Sequence, residues 1–163
     1  MKKVYLLIGG NLSDRSLLIK RAGHLIERRI GRVLEQSSVY ETEPWGFDSN
    51  ELFLNKVLLV ETSLQPSELL ETILKIEKDL GRKRVLNGYE SRLIDIDILF
   101  YDDQVITNPN LVIPHPRIQE RMFTLKPLQE INGAFIHPVL KKSIRQLVTE
   151  CPDGLKVMRY NGK

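Results

Sequence analysis

Apolar positions along the chain switch between a period of two and a period near 3.6, which predicts strands alternating with helices. Val4 to Ile8 is a continuous apolar run closed by Gly9-Gly10, the pattern of a buried strand that ends in a tight turn. Ser13 is placed to cap a helix with apolar positions Leu17, Leu18, Ala22, Leu25 and Ile26, and Gly31 ends it. A strand is predicted from Arg32 to Tyr40, then a loop of turn formers and acids from Glu41 to Asn50, then a long β-type run from Leu52 to Thr62. Pro66 stands where a helix begins; Leu69, Ile73, Ile76 and Leu80 mark its buried face, and Gly81 ends it.

A second loop, Arg82 to Ser91, has no apolar period. In the strand from Leu93 to Tyr101 the even positions Ile94, Ile96, Ile98 and Phe100 form one buried face. Asp95 and Asp97 then share the opposite face with Leu93, Leu99 and Tyr101. Asp102-Asp103 predicts a hairpin turn into Val105-Ile106, and Pro109, Pro114 and Pro116 exclude regular structure until a helix from Arg117 to Ile131. A helix from Ser143 to Thr149 and a strand from Lys156 to Tyr160 close the chain. The order β-α-β-β-α-β followed by helices predicts an α+β fold: a ferredoxin-like core, mainly antiparallel, covered by helices and carrying long mobile loops. No repeat or linker divides residues 1–163, so one domain is expected.

Composition narrows the setting. With 24 Lys+Arg against 21 Asp+Glu the net charge is +3, and 42% hydrophobic with 28% charged residues is ordinary for a globular protein. The single cysteine, Cys151, excludes an internal disulfide, and no apolar stretch approaches the ~20 residues of a membrane span. A cytoplasmic protein with no membrane partner is expected, and nothing signals assembly beyond a monomer. Gly9-Gly10-Asn11 lacks the Lys-Ser/Thr ending of a P-loop, and no Rossmann glycine pattern occurs.

The candidate chemistry lies on and beside the aspartate strand. At ~3.3 Å rise per residue the two carboxylates start roughly 6.6 Å apart and repel by about 2.5 kcal/mol at an effective dielectric of ~20. A divalent cation would relieve that repulsion, and oxygen-only ligands on a strand suit Mg²⁺; a solvated strand face is the competing reading. Arg82, Lys83, Arg84 and Arg92 precede the strand and look like a polyphosphate clamp or, equally, a solvated charged loop. Arg92 lies three residues before Asp95, within reach of the same site. His115, held between Pro114 and Pro116, is placed to donate to a phosphate, and Arg117 and Arg121 are expected one helical turn apart, facing the same anion. Phe53 and Asn55 share a strand face by parity. Three functions meet this pattern: a phosphoryl-transfer enzyme, a metal-dependent phosphohydrolase, and an RNA-binding module on the same core. The aspartates, which would repel a phosphate backbone, argue against nucleic acid.

Three segments in order, Ile8-Gly9-Gly10-Asn11-Leu12, Ser91-Arg92-Leu93-Ile94-Asp95-Ile96-Asp97-Ile98-Leu99 and Val112-Ile113-Pro114-His115-Pro116-Arg117, resemble the 6-hydroxymethyl-7,8-dihydropterin pyrophosphokinase family of folate biosynthesis. Tyr40-Glu41-Thr42-Glu43-Pro44, Phe53-Leu54-Asn55, and Glu77 followed by Gly81-Arg82 agree with it, whereas Trp45, Tyr89, Glu90-Ser91 and Pro116 depart from its usual pattern. The resemblance implies transfer of the β,γ-pyrophosphoryl group of ATP to the pterin hydroxymethyl oxygen, releasing AMP, with two Mg²⁺ ions held by Asp95 and Asp97. It implies catalytic roles for Arg82 and Arg92 beside the aspartates. ATP contacts are implied at Glu77, Arg84, His115 and Arg121, with adenine near Ile98, Leu111 and Val112. Phe53 and Phe123 would sandwich the pterin, and Asn55 with Thr42, Glu43 and Trp45 would read its edge, with Asp95 beside it. From the residues alone, core packing remains the competing role for both phenylalanines.

Overall fold

The computed structural model describes residues 1–11, 14–43, 52–81 and 93–162. The first apolar run becomes strand β1 (Lys2–Gly10), buried on both faces as a central strand must be. Helix α1 (Arg15–Arg29) is capped by Asp14, whose side chain accepts the Leu17 N–H at 3.1 Å; Ser13, the expected cap, lies outside the described residues. Its buried stripe is Leu18, Ile19, Ala22 and Ile26, and Leu17 faces solvent.

The strand expected from Arg32 to Tyr40 is two strands, β2 (Gly31–Gln36) and β3 (Tyr40–Thr42). Ser37 divides them. Its N–H donates to Val57 O, and its hydroxyl, in place of a backbone carbonyl, accepts the Val57 N–H, both at 2.9 Å. Both strands pair antiparallel with β4 (Phe53–Thr62). Helix α2 (Pro66–Asp79) starts as expected, with the Glu68 carboxylate accepting the Gln65 N–H, and Gly81 follows it at φ +94°.

Strand β5 (Asp95–Tyr101) runs antiparallel to β1, but the register shifts so that Leu6 faces Ile98 and Tyr5 faces Phe100. Leu99 is the extra residue of a β-bulge, and a bulge inverts side-chain parity beyond it. Ile94, Ile96 and Ile98 keep the expected face, but Tyr101 joins them and Phe100 crosses to the other side with Leu99. Leu93 also packs with the isoleucines, so of the three apolar residues expected beside the aspartates only Leu99 stays there.

Asp102-Asp103 does not open a hairpin with β5: the Asp102 backbone N–H donates to Lys3 O, and its carboxylate accepts the Lys3 N–H. The hairpin forms one step later, between β6 (Ile106–Asn108) and β7 (Leu111–Ile113), with Pro109 in its turn, where no ladder N–H is needed. The helix expected from Arg117 to Ile131 is a 3₁₀ turn, Ile118–Glu120, followed by α3 (Met122–Asn132), because Arg121 between them is extended. Helix α4 (Ile144–Glu150), capped by Ser143, and β8 (Val157–Arg159), paired with β3, complete the chain.

The main sheet has the order β5-β1-β4-β3-β8, with β2 also beside β4, and all its pairs are antiparallel. With β2 and β3 taken as one interrupted strand, this is the β-α-β-β-α-β arrangement of the ferredoxin-like core, an open sheet. Helices α1 and α2 close the core on one face, against Leu6, Ile8 and Leu58, and α3 and α4 close a second core on the other, against Tyr5, Leu7 and Val57. Among the described residues no helix is long and apolar enough to cross a membrane.

Candidate active site

The site is built on a row of backbone partners on the α3 side of the sheet. Asp95 stands opposite Gly9, Gly9 opposite Asn55, and Asn55 opposite Tyr40; in the adjoining rows Asp97 faces Leu7 and Phe53 faces Thr42. Asp95 and Asp97 point to this side because the bulge lies beyond them, at Leu99. Gly9 supplies a floor without a side chain, since a Cβ there would collide with Asn55 Oδ1. His115 to Arg117, Arg121 and Phe123 form the wall, and the resulting cleft has a volume of about 310 Å³. That is the lower end of the range for small-molecule pockets.

The same bulge anchors the wall. The carbonyl of Leu99 accepts the backbone N–H of His115 at 3.0 Å, which holds the segment after β7 over the strand that carries the aspartates. His115 Nδ1 accepts the N–H of Arg117 at 3.1 Å, so the ring proton belongs on Nε2. Burial lowers the histidine pKa to about 4; Arg121 and Arg117 push in the same direction, and Asp95 opposes them. At neutral pH the imidazole is therefore an uncharged donor. The Arg121 guanidinium lies 5.5 Å from the centre of the Phe123 ring, which positions both at the start of α3.

From the other side of the sheet, buried Glu77 of α2 accepts the Ile96 N–H through Oε2 at 2.8 Å. Ile96 separates the two aspartates, and β5 is the edge strand, so this carboxylate holds the backbone on which both are mounted.

Asp95, Asp97, His115 and Arg121 thus meet Thr42, Glu43, Phe53, Asn55 and Phe123 around one cleft. Arg117 joins them although no single helix carries it and Arg121. Glu77, Ile98, Leu111 and Val112 do not line the cleft. Glu77 and Ile98 are buried, Leu111 packs against the core beneath α1 and α2, and Val112 is exposed on β7. Arg82, Arg84, Arg92 and Trp45 lie outside the described residues. Sequence reasoning did not nominate Leu7, Gly9 or Pro116; the glycine pair ending the first apolar run was the available signal for close backbone approach.

Among the described residues no group of three or more His, Cys, Asp or Glu side chains could hold a metal ion. Two carboxylates lining one cleft nevertheless fit Mg²⁺, which completes its octahedron with water and phosphate oxygens.

A sequence model of the 7,8-dihydro-6-hydroxymethylpterin-pyrophosphokinase (HPPK) family matches residues 5–133. The chain is 42% identical over 150 residues to the 2-amino-4-hydroxy-6-hydroxymethyldihydropteridine pyrophosphokinase of Aquifex aeolicus, covering 92% of each. It is 43% identical over 141 residues to the folic acid synthesis protein fol1 of Pneumocystis carinii, covering 86% of this chain but 19% of that one. Among solved structures, Plasmodium falciparum HPPK-DHPS has a TM-score of 0.75 at 20% identity, over 92% of this chain and 43% of that chain, a likeness of fold. The chain therefore spans nearly all of the bacterial relative, less than half of the Plasmodium chain and about a fifth of the fungal protein.

Proposed function

The chain belongs to the 7,8-dihydro-6-hydroxymethylpterin-pyrophosphokinase family and transfers pyrophosphate from ATP to hydroxymethyldihydropterin in folate synthesis, and we propose that the cleft over β1, β4 and β5 is where it does so. The observation that carries this reading is the row Asp95–Gly9–Asn55, which sets a carboxylate and an amide side by side on one floor. The pterin lies on that floor between Phe53 and Phe123, with Asn55 and the Thr42–Glu43 segment reading its polar edge. By the family resemblance Trp45 reads the pterin as well.

Asp95 and Asp97 would hold two Mg²⁺ ions, which when bound would supply neutralisation of phosphate charge. His115 donates through Nε2–H to a phosphate oxygen, and Arg117 and Arg121 take the charge that gathers as the bond to the α-phosphate breaks and AMP leaves. By the family resemblance Arg82, Arg84 and Arg92 serve the phosphates. Glu77 fixes the aspartate strand through Ile96, and the nucleotide contacts that the resemblance implies at Glu77, Ile98, Leu111 and Val112 lie outside this cleft. In this reading residues 1–163 act as one cytoplasmic, monomeric domain.

The assay is direct. Protein, ATP, Mg²⁺ and the hydroxymethyldihydropterin yield AMP and the pterin diphosphate in equal amounts. Release of ADP, or ATP consumption without pterin, would overturn the reading, the latter in favour of a phosphohydrolase.

A further inference from the structure

A second concavity, of about 250 Å³, lies on the opposite face of the sheet, between α1 and strands β2 and β4. Ile8, Ile19 and Leu58 give it an apolar base, and Lys20, His24 and Lys56 bring basic groups to it. Lys56 breaks the pattern of its strand. Leu54, Leu58 and Val60 share its side of β4 and are at most 2% exposed, so the lysine stands half-buried on a core-facing surface. A cation there needs an anion or loses hydration without return. Among the described residues neither the Lys56 nor the Lys20 side chain has a hydrogen-bond or ion-pair partner, and burial followed by Lys20 lowers the Lys56 pKa. Glu27, the one carboxylate lining the groove among the described residues, accepts the Val33 N–H at 2.6 Å.

Gly23 adds an independent observation. It sits inside α1, where glycine weakens a helix, yet a Cβ at this position would meet nothing within 4 Å. Packing does not require the glycine, and its bare backbone leaves room in the groove that it lines.

We propose that this groove is a second ligand site for a small organic anion, with its carboxylate or phosphate group between Lys56 and Lys20 and its apolar body against Ile19 and Leu58. The volume suits a molecule smaller than a nucleotide. The two sites lie back to back, because Ile8 pairs with Lys56 and the next pair, Gly9 with Asn55, floors the cleft.

NMR titration of the full chain with benzoate and, separately, with phenyl phosphate tests the proposal and distinguishes the two head groups. Saturable shifts are expected at the amides of Lys20, Gly23 and Lys56 with at least one probe. Lys56→Gln should weaken that binding about ten-fold while pyrophosphoryl transfer proceeds at its usual rate. Gly23→Gln, which adds a side chain to the groove and keeps both lysines, should do the same and serves if the first variant fails to fold. Shifts confined to Gly9 and Asn55, shifts that never saturate, or affinities unchanged in both variants would overturn it.

Discussion

Glu77 Oε2 accepts the backbone N–H of Ile96 at 2.8 Å, so a carboxylate from a helix behind the sheet fixes the residue that separates Asp95 from Asp97. Glu77 is 3% exposed. A buried acid in an otherwise apolar helix face is expensive unless bonded, and here its bond supplies an acceptor that an edge strand lacks.

Glu77→Leu should therefore destabilise the fold by about 1–3 kcal/mol, because it strands a buried N–H. Turnover should fall with it, and the Mg²⁺ concentration for half-maximal rate should rise as the aspartates lose their mount. Glu77→Gln, which keeps an acceptor, should recover most of the stability. Urea denaturation and Mg²⁺-dependent kinetics measure the two effects separately.

Asp97→Ala should lower turnover by about 100-fold or more while leaving the fold intact, as judged by an unchanged far-UV circular dichroism spectrum. Chelation of Mg²⁺ should stop the unmodified protein reversibly. Wild-type rates in the variant would show that the metal assignment is wrong.

Gly9→Ala places a methyl group against Asn55 Oδ1. Overpacking of this kind costs roughly 1–3 kcal/mol. The strain falls on the pterin side of the cleft, so the KM for pterin should rise more than that for ATP in steady-state measurements.

Acid should unfold the protein partly through His137. Its Nδ1 accepts the N–H groups of Val139 and Leu140 at 3.1 and 3.0 Å, and burial holds its pKa below the ordinary 6.5. The unfolded chain then binds the proton more readily than the folded one. The contribution to stability is complete above about pH 6.5 and is lost as pH falls through the folded value. His115, lowered to about 4, acts with the same sign. Thermal midpoints should drop as pH is taken from about 6.5 towards 4, and His137→Asn, whose amide oxygen accepts without titrating, should flatten part of that slope.

Much of this architecture was legible before any coordinates. The stripe Leu69, Ile73, Ile76 between Pro66 and Gly81 specifies α2 because a helix repeats every 3.6 residues, and the Ile-Asp alternation from Ile94 to Asp97 puts both carboxylates on one face because a strand repeats every two. Parity likewise joins Phe53 to Asn55. The split at Ser37, the bulge at Leu99, the displaced hairpin of β6 and β7 and the turn role of His137 were not legible. Each depends on a bond to a residue distant in sequence or on a local backbone exception to the period.

The chain's own order of residues decided which side chains share a face, since periodicity is a local property of the backbone. Which faces meet was decided only by folding. Asp95, Gly9 and Asn55 lie 86 and 46 positions apart in sequence and become neighbours through the register of β1 with β5 and β4. Register is a choice of hydrogen-bond partners across the sheet, set by the whole core at once, and a single extra residue at Leu99 both brings Phe100 onto the aspartate face and presents the carbonyl that holds His115 over it.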